Sequence, residues 1–225
     1  MSVLAAGCGS DEADNAPHPT VALRVAAVST DSDSVAVSSS GTAISVERAL
    51  VALEILTLVP CGDYDRRGFE PVNVDLTARP PLELDAPGTA PTYCGGYVAP
   101  YAGETPTLAE LEGRSVLIEG TRADGTPFRI ASAETPLVTL FPETAGTPFS
   151  AHGLLLGFDL ATWLGAVDLD AAAVEDGQIT LDASHNTDEL AAFEARTASA
   201  TAFYADTDGD GALTRDDQAP VAFGH

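Results

Sequence analysis

Ser115-Val-Leu-Ile-Glu-Gly-Thr-Arg122-Ala-Asp124-Gly125-Thr-Pro-Phe128-Arg-Ile-Ala131 holds two apolar runs separated by a turn signal. Val116, Ile118 and Thr121 are β-branched, and Asp124-Gly125 supplies the positive φ that a tight β-turn requires. The stretch predicts a hairpin with strands over 115–121 and 128–131. The same pattern repeats on both sides of it. Val21, Leu23 and Val25 alternate with small or polar residues, and short strands are predicted over 72–76, 93–98, 137–141 and 153–160. Asp176-Gly177 marks a turn before a strand at 179–181, and Trp163 beside Leu164 is a core candidate.

Residues 44–58 form the strongest apolar stretch in the chain. Ala49 to Leu56 has helical propensity, but the β-branched residues and the Pro60-Cys61-Gly62 stop favour a strand. Many short strands with turns at regular intervals indicate a mainly β chain built as a β-sandwich. A chain of 225 residues is long enough to bury a substantial core. Its 45% hydrophobic content excludes wholesale disorder despite a net charge of −24. All 10 basic residues are Arg. Such an acidic surface argues against nucleic acid as a partner and suits solubility and cation binding.

Leu4-Ala5-Ala6-Gly7-Cys8 resembles the lipobox of bacterial lipoproteins, whose cysteine becomes the lipidated N-terminus. The leucine stands one place further from Cys8 than is usual, and the basic and apolar parts of a signal peptide are missing. The resemblance implies a start inside a longer signal peptide and export to the outer membrane or cell surface. Residues 10–19 are a polar tether suited to hold a domain off a membrane. Of the 3 cysteines, Cys61 and Cys94 then remain as an even pair in an exported chain. Their place beside turn formers in an exported chain predicts a disulfide between them, with two buried thiols as the alternative. The order of an apolar run ending Pro60-Cys61-Gly62, a Val72-Asn-Val-Asp-Leu76 strand and Tyr93-Cys-Gly-Gly-Tyr97 resembles an uncharacterised family of bacterial lipoproteins. That resemblance covers roughly residues 40–140. It implies a carbohydrate-binding-like, transthyretin-like sandwich and brings no functional residues with it.

The C-terminal part carries the most legible chemistry. Asp206, Asp208 and Asp210 place a carboxylate at every second position, Gly211 follows, and Asp217 closes a twelve-residue loop. A hard cation takes six to eight oxygen ligands, and the glycine gives the sharp turn around it. Ala212 would ligate through its backbone carbonyl and Thr214 through its side chain or a water. The loop resembles an EF-hand calcium loop, in the Asp-closed form of dockerin-type repeats. The resemblance implies Ca2+ as the cofactor, with the Asp closure reducing affinity. Asn186 and Glu189 fit a capping box, and Leu190, Phe193, Thr197, Ala200 and Tyr204 recur at helical spacing. They predict an entering helix for the loop.

The predicted organisation is a lipobox and tether over 1–19, a β-sandwich over 20–185, and a helix with a calcium loop over 186–225. His18, His152, His185 and His225 are scattered without a zinc motif. Asp182-Ala-Ser184-His185 lacks a nucleophile elbow, and Asp168-Leu-Asp170 reads as a solvated loop. The sequence therefore reads as a non-enzymatic, lipid-anchored, calcium-binding protein of the cell envelope. A glycan or an envelope protein would be the partner of its sandwich. The competing class is a secreted hydrolase drawing on some of the 34 acidic residues.

Overall fold

The long apolar run is a strand, and it is the spine of the molecule. A computed structural model describes residues 20–28, 35–39, 41–62, 65–87, 92–103, 108–150, 153–206, 213 and 219–225. In chain order the first strands are β1 (Thr20–Ala27), β2 (Val35–Ser39), β3 (Thr42–Pro60), β4 (Arg67–Gly68), β5 (Val72–Asp75), β6 (Leu82–Pro87) and β7 (Tyr93–Pro100). They are followed by β8 (Val116–Arg122), β9 (Pro127–Ser132), β10 (Val138–Phe141) and β11 (Leu154–Phe158). A single 3-10 turn (Ala109–Leu111) precedes β8, and helix α1 (Leu160–Leu164), β12 (Val174–Glu175), β13 (Gln178–Leu181), helix α2 (Thr187–Glu194), β14 (Thr201–Ala205) and β15 (Pro220–Gly224) complete the described elements.

β3 pairs with β8 along 44–51 and with β7 along 53–60. Its register shifts between Leu53 and Ile55, where the strand passes from one partner to the other. Such an irregularity bends a strand and increases its local twist. β2, β5 and β4 also pair with β3, so it carries partners along nearly all its length. Two arms leave the spine. One runs β8-β9-β13-β12, and the other runs β7-β10-β15-β14-β11-β1-β6. Ala27 at the end of the second arm donates to the Leu76 carbonyl beside β5, which curls the sheet back toward the spine. Ile118, Phe128, Ile130 and Ile179 from one arm share a core with Leu140, Leu156 and Phe203 from the other.

The helix-like look of residues 49–53 has a packing cause. All five are buried, because the strand is covered on both faces. Ala49, Val51 and Leu53 enter the main core, whereas Leu50 and Ala52 pack with Leu111 and Leu117 in a second layer. A strand buried on both sides reads as a continuous apolar run without alternation.

The predicted hairpin is β8–β9, with Val116 opposite Ser132 and Thr121 opposite Pro127. Its loop is one residue longer than a two-residue turn. Arg122 N bonds to Thr126 O, and only Gly125, at φ 87°, takes the left-handed conformation. Asp176-Gly177 is the two-residue case, with φ of 49° and 82°. Cys61 and Cys94 are bonded, with Cα atoms 5.1 Å apart at the end of the β3–β7 ladder. The strand expected over 153–160 stops at Phe158. Asp159 there accepts from the Thr162 amide and opens α1.

The C-terminal part departs from expectation. The helix predicted to lead into the calcium loop ends at Glu194, and residues 201–205 are a strand. Leu190, Phe193, Thr197 and Ala200 are buried together as the spacing implied, but Tyr204 joins a different cluster. Thr201 and Phe203 favour extended backbone, and β11 and β15 on either side satisfy its hydrogen bonds. Residues 201–205 and 220–224 lie within the sheet rather than beside it. The capping box is absent too. Asn186 sits at φ 49° and makes no cap bond; its side chain instead reaches Ala173 N, Ala173 O and Thr180 O. Glu189 accepts from the Asp168 amide. Both side chains tie neighbouring loops together.

Candidate functional site

β14 and β15 are antiparallel, so the acidic loop joins the two strands of a hairpin. Side chains alternate along β14, with Phe203 entering the main core and Ala202 and Tyr204 facing the opposite way. On that opposite face Val28, Leu155, Ala202, Tyr204 and Leu213 form a small second core. Leu213 is the eighth residue of the predicted calcium loop. Gly157 of β11 makes room for it. A Cβ there would stand 2.5 Å from both the Leu213 and the Tyr204 side chains.

Asp206, the first predicted ligand, has a side chain that is only 1% exposed. Its Oδ2 lies 2.9 Å from Arg24 Nη1, while Arg24 Nε is 2.9 Å from Glu83 Oε2. A carboxylate buried this deeply needs such a partner, because desolvation without compensation is strongly unfavourable. The Asp206 amide donates to the Gly153 carbonyl at 2.6 Å. The loop is thus held to the sheet at its first and eighth positions. Asp208, Asp210, Ala212, Thr214 and Asp217 lie outside the described residues, as does Cys8. Among the described residues no group of three or more His, Cys, Asp or Glu side chains is placed to hold a metal ion.

The other acidic sequences serve turns and ion pairs. Asp168 accepts from the Asp170 and Ala171 amides, and Asp170 pairs with Arg122. Arg122 also bonds the Asp124 carboxylate and holds it well below the usual carboxylate range. His185 Nδ1 is 2.8 Å from Asp182, and Nε2 is 3.6 Å from Glu175. The bond to Asp182 raises the imidazole's proton affinity. Burial opposes ionisation of Asp182, but the Ser184 amide and the His185 ring and amide together hold its carboxyl below its ordinary value.

A cleft of about 350 Å³ opens beside the hairpin, where the end of β11 meets β14 and β15. Asp159, Ser199, Thr201, Tyr204, Pro220 and Phe223 line it. Nothing in the sequence set these residues apart as a group, since three distant segments supply them. The one local signal was Asp159 three residues before Thr162, an N-cap spacing whose carboxylate accepts from both Thr162 N and Thr162 Oγ1.

No protein-family model matches the sequence, and no curated protein matches it. Among solved structures, the chain is similar to MbnP from Methylosinus trichosporium, with a TM-score of 0.53 and 13% sequence identity. The match covers 92% of this chain and 98% of that one. At this identity the likeness is one of fold: a mainly β chain with a curled sheet.

Proposed function

We propose that the protein is a non-catalytic, lipid-anchored protein of the cell envelope whose loop over 206–217 binds one Ca2+. The observation that supports this most is the fixing of Asp206 and Leu213 on the sheet. A loop tied at its first and eighth positions loses less conformational freedom when the remaining carboxylates close on a cation. Asp208, Asp210 and Asp217 would supply carboxylate oxygens, Asp206 its Oδ1 beside the Oδ2 that Arg24 holds, Ala212 its carbonyl and Thr214 its hydroxyl or a water. In this reading calcium orders the loop over 206–217 and contributes little to the rest of the sheet, whose two arms form a transthyretin-like sandwich. The partner is a glycan or another envelope protein. The role of the metal is structural.

With Asp at the closing position, affinity falls in the extracellular range of roughly 10⁻⁴–10⁻³ M. Calcium at about ten times its Kd then stabilises the folded chain by only ~1.4 kcal/mol. Titration calorimetry should give a calcium-dependent heat that Asp208→Ala abolishes and Ala212→Ser leaves almost unchanged, since Ala212 ligates through its backbone. No heat at millimolar calcium, or full binding by Asp208→Ala, would sink the site. The anchor has its own test. Expressed behind a complete signal peptide, the protein should enter the detergent phase, and Cys8→Ser should move it to the aqueous phase. Equal partitioning of the two forms would count against lipidation.

A further inference from the structure

Leu56, Leu58, Val98 and Leu140 point into the main core, so the residues that alternate with them face outward. Register aligns these outward residues in rows across β3, β7, β10 and β15. Thr57, Tyr97, Thr139 and His225 form one row. Val59, Gly95, Phe141 and Phe223 form the next, with Phe141 lying over Gly95. Ile55 stands opposite Ala99 on the other side of the first row, and Leu137 immediately precedes β10. Ile55, Leu137 and Phe223 are 39%, 55% and 37% exposed. They are three of the five large apolar side chains so exposed among the described residues, and all three lie on this one strip. Beyond it on one side Leu111 packs on Leu50 and Ala52, and on the other Leu213 packs with Leu155 and Tyr204. The two rows hold no carboxylate, in a chain with 34 acidic residues. Glu54 stands at the strip's end, in the bulge before Ile55, and Arg66 lies over the Tyr97 ring, 5.5 Å from its centroid.

Contiguous exposed apolar surface of this kind marks a binding face. Three strand spacings by two pleat repeats make the strip about 14 by 13 Å, on the order of 200 Å². A stable protein interface takes about 800 Å² from each partner, far more than the strip offers. Two copies would also bring together two bodies of net charge −24, and the same charge repels anionic headgroups. A small molecule is held in a concave pocket that buries most of its surface, whereas this strip is open. An open, uncharged strip suits an uncharged chain that adds contacts along its length. A sugar unit has an apolar C–H face and a rim of hydroxyls that both donate and accept. The rows divide in the same way. Phe141 and Phe223 supply aromatic surface, while Thr57, Tyr97, Thr139 and His225 supply groups that donate and accept. Thr139 Oγ1 gives its proton to the His225 carbonyl at 3.4 Å, which leaves its lone pairs to a ligand.

We propose that this strip binds an uncharged glycan chain laid across β3, β7, β10 and β15, with sugar C–H faces on Phe141 and Phe223 and sugar hydroxyls on Thr57, Tyr97, Thr139 and His225. It rests on the reading of the sandwich as a module with a glycan partner, and it narrows that partner to an uncharged one. The test is a titration of the full chain carrying Cys8→Ser, in chelator, followed through its backbone amide resonances. Lipid anchor and calcium then play no part. The probes are cellohexaose, laminarihexaose, xylohexaose, mannohexaose, chitohexaose, the anionic hexagalacturonate, and glucose as the single unit.

At least one uncharged hexasaccharide should shift the amides of Tyr97, Thr139 and Phe223 together, at least roughly tenfold more tightly than glucose or hexagalacturonate. Phe223→Thr keeps a β-branched residue in the strand while removing the ring, and it should weaken that sugar by roughly tenfold with the spectrum otherwise intact. Thr139→Val, which removes one hydroxyl at constant shape, should weaken it a few-fold. Val174→Thr alters an equally exposed apolar side chain away from the strip and should leave binding unchanged. The proposal is overturned if Phe223→Thr binds unchanged, if hexagalacturonate binds equally well, or if the strip's amides shift with protein concentration alone, which would assign the face to a second copy. Sugar shifts confined to another surface would remove this site and keep the glycan partner. No shift with any hexasaccharide would remove both, with the calcium loop and the anchor still decided by their own measurements.

Discussion

Trp163→Ala should lower the unfolding free energy by about 4 kcal/mol, the largest loss expected from any single side chain in this molecule. The indole is fully buried between Phe158, whose ring centroid is 5.8 Å away, and Phe193, at 4.8 Å and nearly parallel. Phe158 ends β11 and Phe193 belongs to α2, so the indole packs α2 and the end of β11 together through α1, beside the Ser132–Glu194 bond that ties α2 to β9. Removing it leaves a cavity that two short helices have little means of closing, and the loss combines the transfer and cavity terms. Trp163→Phe should behave very differently. The indole Nε1 is buried with no hydrogen-bond partner among the described residues, and phenylalanine keeps a stacking ring while removing that unmet donor. Its expected cost is below about 1.5 kcal/mol. Urea unfolding followed by far-ultraviolet circular dichroism checks both, because the chain's single Trp cannot report on its own removal. Equal losses in the two variants would show that the stack is not what holds α2.

Replacing Cys61 and Cys94 together with Ala should cost about 3.5 kcal/mol. The bridge closes a loop of 33 residues, and opening it returns that conformational freedom to the unfolded chain. The loop contains β4, β5 and β6, so its reach is wide. β5 and β4 pair with the spine, and β6 forms the far end of the second arm on β1. The midpoint of urea unfolding should fall, and the denatured chain should expand. A loss under about 1 kcal/mol would mean that the β3–β7 ladder fixes the loop without the bridge.

What the sequence revealed and what it withheld follow from the range of the interactions. The β8–β9 hairpin was readable because Asp124-Gly125 and the flanking strands lie within seventeen residues of each other. Trp163 was readable from its size and apolar neighbours, and the cysteine pair from parity and the turn formers beside each cysteine. The 201–205 strand was not. Its small residues and three- and four-residue spacing fit a helix, and only pairing with β11, some forty-five residues earlier, makes it extended. Asn186 was misread for the same reason, since its partners Ala173 and Thr180 lie across a turn. The candidate site divides likewise. The alternation of Asp206, Asp208 and Asp210 is local and visible, whereas the Arg24 that neutralises Asp206 stands 182 residues away. The cleft was invisible because Asp159, Ser199 and Phe223 meet only after three strands have aligned.

The position of β14 and β15 in the sheet also bears on the order in which the molecule is assembled. They lie between β10 and β11, not at an edge, and β15 is the last of the described strands to be synthesised. Until it arrives, β10 and β11 have no neighbour to join them and the second arm stays split. Each half-built piece presents a row of open amides and carbonyls, a template for pairing with another chain. Spine and second arm cannot close into one curl while that keystone is missing.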